Sequence, residues 1–235
     1  MVSLICCYNN KEQYDNMKQS LMRQSVEYEL IGIDNRENKY SSAAAALNAG
    51  AKEANGNFLI FLHQDIIFEQ PDSLSEFVEA YPADKNAIIG LFGASHGKTE
   101  ALTTNLYSVQ TLDECFIGMS KDVYSRLKFN EKLCNGWHLY AVEMCLRAKE
   151  KGILIATGSF NIKHLSSGNV DDNYMRTFKK LITEYKNAKW ISTTCKSLPA
   201  NTLFYNAYYC VWKLKKAVFG NANIAYKIKS AFNKA

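Results

Sequence analysis

Three polar residues that are able to do chemistry interrupt an otherwise apolar run. The segment FLIFLHQDIIF, residues 58–68, is typical of a buried strand except at His63, Gln64 and Asp65. A buried charge is costly unless it is paired or bound to a metal ion, so we expect these residues at an open strand end. In open α/β sheets, ligands bind outside the carboxyl ends of the strands. The segment therefore predicts a ligand site at that edge of a sheet.

The remaining pattern indicates the elements that would position such an edge. Seven strand-like runs occur: VSLICCY, YELIGID, FLIFL, NAIIGLFG, ECFIGMS, GILIATG and FNIKHLSSG. Helix-like segments separate most of them, one capped by Asn10 and one across 137–150. Strands that alternate with helices predict an α/β fold with a mostly parallel sheet flanked by helices. We predict one α/β domain over residues 1–170 and a helical extension over residues 171–235.

Composition favours a globular protein of the cytoplasm. The chain has 235 residues, of which 47% are hydrophobic, enough for a substantial core. Its seven cysteines are scattered, odd in number and without a CxxC pair, which favours reduced thiols over disulfides or a zinc site. No run is typical of a signal peptide or a membrane span. We therefore expect a cytoplasmic protein that is soluble or peripheral to a membrane.

The C-terminal part is strongly basic and aromatic. From Lys186 onwards the chain has nine lysines and no acidic residue, and residues 203–219 read LFYNAYYCVWKLKKAVF. This composition is typical of a helix lying on an anionic membrane surface, here the inner face of the plasma membrane. It is equally typical of helices that pack on the core with solvated lysines. No recognition motif favours nucleic acid as a partner.

Four motifs follow one another in the first half of the chain. A strand ending in YNN and a strand ending in IDN precede LNAGAKEANG, which leads into FLIFLHQD. This order resembles family 2 glycosyltransferases of the GT-A fold, and among them the bacterial capsule and lipopolysaccharide glycosyltransferases, in which HQD stands in place of the DxD motif. The resemblance covers roughly residues 1–170. It implies a nucleotide-sugar donor, with UDP-, GDP- and TDP-sugars all open.

The resemblance also implies a nucleotide site across the ends of the first two strands. Tyr8 would flank the base, Asn9 would bond to its edge, and Asp34 would accept hydrogen bonds from the ribose. His63 would orient the ribose or the diphosphate. The alternatives are a turn signal at Asp34 and a hydrogen-bonded histidine at a strand end for His63.

A divalent cation is implied next to this nucleotide. The charge on a diphosphate grows as the glycosidic bond breaks, and Mn²⁺ or Mg²⁺ bridging its oxygens is the usual remedy. In the family the last acid of the motif contacts the metal, which corresponds to Asp65. His164, after the strand-like NIKH, resembles the third ligand of many members. The alternatives are a helix or turn cap for Asp65 and a structural histidine.

The acceptor side is implied by a later segment, DECFIGMSKDVY. There Asp113 would bond to a sugar hydroxyl and Gly118 would permit close approach of the sugar. Trp137, further on, would form a sugar-stacking wall or would simply pack in the core. The acceptor would be a glycan or a lipid-linked glycan.

The catalytic base is the least determined position. Inverting transfer needs a base near the acceptor hydroxyl. The segment NGWHLYAVEMCLRAKEKG resembles the family's base-carrying segment, but Ala141 stands where relatives often have a carboxylate. Glu143 and His138 are the remaining choices, and a helical ion pair with Arg147 is the alternative role for Glu143.

Together these observations predict an inverting, metal-dependent glycosyltransferase that extends a surface polysaccharide of the capsule or lipopolysaccharide type. A binding module that has lost catalysis, or a scaffold at the membrane surface, are the alternatives from other classes. A nucleotidyltransferase would need a glycine-rich, basic phosphate-binding loop after the first strand. The sequence has no such loop at that place. A homodimer through the C-terminal helices is compatible with the sequence.

Overall fold

A mixed sheet with helices on both faces forms the centre of the molecule. The computed structural model describes residues 1–82, 86–97, 100–103, 106–166 and 168–219. The strands are β1 (Val2–Tyr8), β2 (Tyr28–Asp34), β3 (Phe58–Leu62), β4 (Ile66–Phe68), β5 (Ala87–Gly90), β6 (Gly93–Ala94), β7 (Glu100–Ala101), β8 (Leu106–Ser108), β9 (Thr111–Leu112), β10 (Phe116–Ser120), β11 (Leu154–Gly158), β12 (Ile162–His164), β13 (Trp190–Ser192) and β14 (Ser197–Pro199). The helices are α1 (Lys11–Leu21), α2 (Ala43–Glu53), α3 (Ser73–Glu79), α4 (Lys121–Leu127), α5 (Tyr140–Glu150), α6 (Asp172–Glu184) and α7 (Thr202–Phe219).

The main sheet has eight strands in the order β2-β1-β3-β10-β5-β11-β8-β7. Strands β1, β2 and β3 pair in parallel, as do β5 and β11, whereas β10 pairs antiparallel with both β3 and β5. Strand β8 is also antiparallel to its neighbours. The α/β fold with a mostly parallel sheet is thereby confirmed, with β10 inserted in the reverse direction at its centre.

Alternation along the central strands divides the core between the two faces. In β1, Leu4 and Cys6 pack in one buried cluster with Met17 of α1 and Phe77 of α3. Ile5 faces the other cluster, which also holds side chains of α2, α4 and α5. Successive strand side chains point to opposite faces, so a run of apolar residues is what a strand covered on both sides requires.

The helices begin where the sequence offers caps. Asn10 accepts a hydrogen bond from the backbone N–H of Gln13 and begins α1, as predicted, and Ser42 accepts one from Ala45 and begins α2. Such side-chain oxygens satisfy backbone N–H groups that have no partner in the first turn. The helix expected across 137–150 is α5, which begins at Tyr140.

A third cluster joins the C-terminal elements to α5. Leu139, Val142 and Leu146 pack with side chains of α6, α7 and the β13–β14 hairpin. The fully buried Tyr205 of α7 donates a hydrogen bond to the backbone carbonyl of Met175. The hairpin was not predicted, because strands of three residues are too short to show a period of two. Residues 220–235 of the predicted extension lie outside the described residues.

Within the described residues, no helix combines the length and the apolar character needed to cross a membrane.

Replacement of Gly50 tests the close packing of α2 on the sheet. A Cβ at this position would lie 2.6 Å from Cδ1 of Ile33 and 2.7 Å from Cγ2 of Ile5. Gly50→Ala should therefore lower the free energy of unfolding by about 1–3 kcal/mol, the usual cost of overpacking. Denaturant titration measures this change. A rise of about 1 kcal/mol, as helix propensity alone predicts, would contradict the packing.

Candidate active site at the carboxyl ends of the central strands

Three residues predicted from the sequence meet at the end of β3. The side chains of His63, Asp65 and His164 each offer one ligand atom, and these atoms lie within 4.8 Å of one another. His164 Nε2 is 3.3 Å from Asp65 Oδ1, and the two imidazole centroids are 5.4 Å apart. We call these three residues the His-Asp-His cluster.

The small sheet of β4 and β12 assembles this cluster. His164 is paired in register with Ile66, directly after Asp65, and the backbone N–H of Leu165 donates to the Asp65 carbonyl at 3.1 Å. On the other side, the hydroxyl of Tyr140 lies 3.2 Å from Nε2 of His63. Two residues almost a hundred positions apart are thus held together by backbone pairing.

The electrostatics of the cluster suit a cation. Burial works to raise the pKa of Asp65, but hydrogen bonds with His164 and Ser166 outweigh it and hold the pKa well below its usual range. Burial lowers the pKa of His63, and the neighbouring His164 lowers it further. Ionised carboxylates and neutral imidazoles are the forms that bind metal ions.

The donor set itself limits the metal. Two imidazoles and one carboxylate fit a divalent ion that accepts nitrogen as well as oxygen, such as Mn²⁺. Mg²⁺ prefers oxygen ligands and retains several waters. The cluster therefore fits a divalent cation.

A cavity of about 330 Å³ opens beside the cluster and brings together three of the predicted nucleotide-binding residues. It is lined by Cys7, Tyr8, Asn9, Gln13, Asn35, His63, Gln64, Asp65, Trp137 and Ser166. The Tyr8 ring stacks on Tyr14, with centroids 4.0 Å apart. We call this space the first cavity.

Asp34 is not part of the first cavity's lining; it is the register partner of Tyr8 on the neighbouring strand β2. Its carboxylate forms a forked ion pair with Arg36, with 2.6 Å between Oδ2 and the nearer terminal nitrogen. The hydrogen bonds from Arg36 hold the pKa of Asp34 well below its usual range. Its predicted contact with the ribose stays a prediction.

Gln64, the middle residue of HQD, has a positioning role that the sequence did not reveal. Its Oε1 accepts hydrogen bonds from the backbone N–H groups of Asn9 and Asn10, both at 2.8 Å, and its Nε2 donates to Asn9 Oδ1 at 3.0 Å. These bonds fix the loop after β1 against the end of β3. In the sequence, the only indication of this role was the position of Gln64 between His63 and Asp65.

A second cavity of about 200 Å³ adjoins the cluster on its other side. Its lining includes Asp113, Glu114, Trp137, His138 and both histidines of the cluster. Trp137 and Ser166 line both cavities, so the two spaces are contiguous at the cluster. His138 Nε2 lies 3.4 Å from Asp171 Oδ2, and Asp113 Oδ2 accepts a hydrogen bond from Thr194 at 2.5 Å.

Glu114 in the second cavity was missed by the sequence reasoning. It lies in the turn between β9 and β10, next to the predicted Asp113. Burial, and next the charge of Asp113, raise the pKa of Glu114 to about 8. Its Oε1 atom is buried and has no hydrogen-bond partner among the described residues.

Besides Asp34, two predicted residues lie away from both cavities. Gly118 is in the middle of β10, where a Cβ would lie 2.6 Å from Cε1 of Phe77, so packing explains the glycine. Glu143 is fully buried and accepts hydrogen bonds from Asn130, Tyr185 and Arg147. The ion pair with Arg147 considered from the sequence is present, at 2.8 Å. The predicted acceptor contact of Gly118 and the predicted base role of Glu143 gain no support from these positions.

A larger cavity, of about 740 Å³, lies elsewhere, between the β8–β9 region and the residues that follow α6. Its lining includes Lys149, Glu184 and Trp190 but none of the predicted site residues. Size alone therefore does not identify the site, and most of the predicted site residues line the two smaller cavities.

Removal of the Glu143 carboxylate tests whether it is structural. Glu143→Ala leaves three donors without their acceptor, so the free energy of unfolding should fall by about 3 kcal/mol. For a chain of this size, the melting temperature should fall by roughly 6–12 °C. Glu150→Ala, at the exposed end of the same helix, is the matched control. An unchanged melting temperature together with a hundredfold loss of sugar transfer would instead assign Glu143 to catalysis.

Comparison with known proteins gives one family and one sequence relative. Residues 3–105 match the model of a family described as glycosyltransferase like family. The protein named ATP synthase subunits region ORF 6 from Fuscovulum blasticum is 25% identical over 213 residues, which cover 79% of this chain and 84% of that protein.

Several solved structures have a similar fold. S. aureus TarS in complex with UDP-GlcNAc has a TM-score of 0.54 at 15% identity, covering 80% of this chain and 67% of TarS. The mannosyltransferase PcManGT from Pyrobaculum calidifontis, in complex with GDP-Man and Mn²⁺, has a TM-score of 0.58 at 10% identity, covering 88% of this chain and 68% of that one. GalNAc-T7 with UDP, GalNAc and Mn²⁺ has a TM-score of 0.55 at 10% identity, covering 77% of this chain and 47% of its own.

At these identities the solved structures establish the fold. The family model matches residues 3–105, a little under half of the chain. Both agree with the resemblance drawn from the sequence. The chain has the GT-A fold, and its residues 3–105 are similar to the glycosyltransferase like family.

Proposed function

We propose that the protein transfers a sugar from a nucleoside diphosphate donor to an acceptor hydroxyl, with inversion at the anomeric carbon and with a divalent cation. One observation carries this proposal: the His-Asp-His cluster lies at the carboxyl ends of the central strands, between two contiguous cavities. That edge is where open α/β sheets bind ligands. A donor and an acceptor need two such spaces that meet at the reacting bond.

The first cavity is proposed to take the nucleotide. Tyr8 would flank the base, and Asn9, already held by Gln64, would contact its edge. The diphosphate would then lie against the His-Asp-His cluster. A cation held there would neutralise the charge that develops on the leaving diphosphate. The complexes of TarS with UDP-GlcNAc and of PcManGT with GDP-Man and Mn²⁺ support this class of donor.

The second cavity is proposed to take the acceptor sugar. Trp137 is 43% exposed and lines both cavities, so its ring is available to a sugar face. Asp113 and His138 offer polar atoms on the same wall. The proposed acceptor is a growing capsule or lipopolysaccharide glycan, free or lipid-linked.

Helix α7 supports association with an anionic membrane. Leu203, Val211 and Leu214 are exposed and fall on one face of the helix by their spacing. Lys213 and Lys216 pair with Asp172 of α6, at 2.6 and 2.8 Å. An apolar stripe bordered by lysines is the pattern of a helix at a membrane interface. A lipid-linked acceptor would be reached from the inner face of the plasma membrane.

A donor-binding module without turnover is the second candidate function. Ala141 favours it, because relatives often carry a carboxylate at this position. The two functions share the first cavity and differ only in the release of nucleoside diphosphate from the sugar.

A thermal-shift panel tests the nucleotide site. The folded protein with Mn²⁺ and one of UDP, GDP or TDP should gain about 2.7 kcal/mol when the ligand is at a hundred times its dissociation constant. The corresponding rise in melting temperature is roughly 5–11 °C for a chain of this size. Asp65→Asn and His164→Gln should lose the part of the rise that depends on Mn²⁺.

Glu27→Gln is the matched control for Asp65→Asn, because Glu27 is exposed at the opposite end of the sheet, beside Val2. It should keep the full rise. A panel in which no nucleoside diphosphate shifts the wild-type protein would refute the proposed function, and so would an undiminished Mn²⁺-dependent rise in both cluster variants.

A further inference from the structure

The turn before β10 places a carboxyl group beside the site. Because β10 runs antiparallel to β3, its first residue, Phe116, pairs with Leu62, the last residue of β3. The backbone N–H of His63 donates to the Cys115 carbonyl at 2.9 Å. Glu114, one residue earlier, therefore lies next to the His-Asp-His cluster and lines the second cavity.

The carboxyl group of Glu114 has a free acceptor position. Its Oε1 atom is buried, yet no donor among the described residues reaches it. A buried polar atom without a partner costs free energy, so such an atom in a cavity marks a place where a ligand donates a hydrogen bond. An acceptor hydroxyl in the second cavity would be that donor.

The backbone at Leu139, which lines the second cavity with Glu114, is strained in a manner typical of functional sites. Leu139 has a φ of 65°, a left-handed conformation that bulky residues rarely adopt. Its backbone N–H lowers the pKa of the Glu114 carboxyl group, against the larger effect of burial. Strain of this kind persists where the surroundings hold it and is concentrated at active sites.

The other carboxylates near the second cavity are already engaged. Asp113 accepts hydrogen bonds from the Cys115 backbone and from Thr194. Asp65 belongs to the His-Asp-His cluster, and Asp171 pairs with His138. Glu143 is enclosed by Arg147 and its other partners, outside the cavity.

We propose that Glu114 is the general base of the transfer, an inference that rests on the proposed function above. Its carboxylate takes the proton of the acceptor hydroxyl while the hydroxyl oxygen forms a bond to the anomeric carbon. The bond from that carbon to the diphosphate oxygen breaks, and its electron pair leaves on the diphosphate. Glu114 thus supplies the carboxylate that is absent at position 141, where Ala141 is packed in the core.

The raised pKa of Glu114 agrees with this role. Burial and the neighbouring Asp113 raise the pKa to about 8. A general base is most effective when its pKa is close to the working pH.

The test measures donor affinity and turnover separately. The full chain is assayed with Mn²⁺ for release of nucleoside diphosphate from UDP-glucose, UDP-GlcNAc and GDP-mannose, with p-nitrophenyl glycosides as acceptors. Glu114→Gln should lower the release rate about a hundredfold or more, the usual contribution of a general base. Donor affinity should change less than about twofold, because the first cavity does not include Glu114.

A second variant shortens the side chain but keeps the carboxylate. Glu114→Asp should retain a larger share of the release rate than Glu114→Gln, because a base remains in the second cavity. Glu27→Gln, the same chemical change at the far end of the sheet, should behave as wild type. If Glu114→Gln melts far below wild type, Glu114→Ala with added formate decides instead, and recovery with formate supports the role.

Three results would overturn the proposal that Glu114 is the general base. An unchanged rate of nucleoside diphosphate release in Glu114→Gln would exclude Glu114 as the base. An equal loss of donor affinity and of turnover would show that Glu114 has a structural role. Wild-type protein that binds a donor with Mn²⁺ but releases no diphosphate to any acceptor would overturn the base while leaving the nucleotide site standing. Failure to bind any donor would instead refute the proposed function itself, so the two failures are distinguishable.

Discussion

The reversed strand β10 is the constraint on which the site depends. A fully parallel sheet would place only the ends of neighbouring strands at its ligand-binding edge. Because β10 runs antiparallel between β3 and β5, it is the start of β10 that meets the end of β3. The turn that carries Asp113 and Glu114 therefore lies beside His63, about fifty residues away in sequence. The cavities proposed for the acceptor and for the donor meet because of this one pairing.

A second pairing completes the cation side. The β4–β12 sheet has only three residues in each strand, yet it sets His164 against the strand that follows Asp65. Burial alone would favour the neutral carboxyl group at Asp65, and the hydrogen bonds from His164 and Ser166 reverse that preference. Burial also lowers the pKa of His63. Backbone pairing and local electrostatics thus prepare the same three side chains for one divalent ion.

The sequence predicted the elements whose signal is local. Strands β1, β2 and β3 end where their apolar runs end, and Asn10 caps α1 as its spacing with Gln13 indicates. What it did not predict depends on partners remote in the chain. The hydrogen bonds of Glu143 come from Asn130 and Tyr185, 13 and 42 residues away, and no periodicity reports them. The burial of Glu114 likewise follows from the packing of its turn against the start of α5. These two segments are remote in sequence, so no local pattern predicts the contact.

The central claim is that the His-Asp-His cluster holds a divalent cation against a nucleoside diphosphate. The most direct measurement is diffraction at the manganese absorption edge from crystals grown with Mn²⁺ and the diphosphate that stabilises the protein most. The account predicts one strong anomalous peak bonded to Asp65 and His164 and adjacent to diphosphate oxygens in the first cavity. A nucleotide bound in that cavity with the manganese peak elsewhere, or with no peak at all, would contradict it.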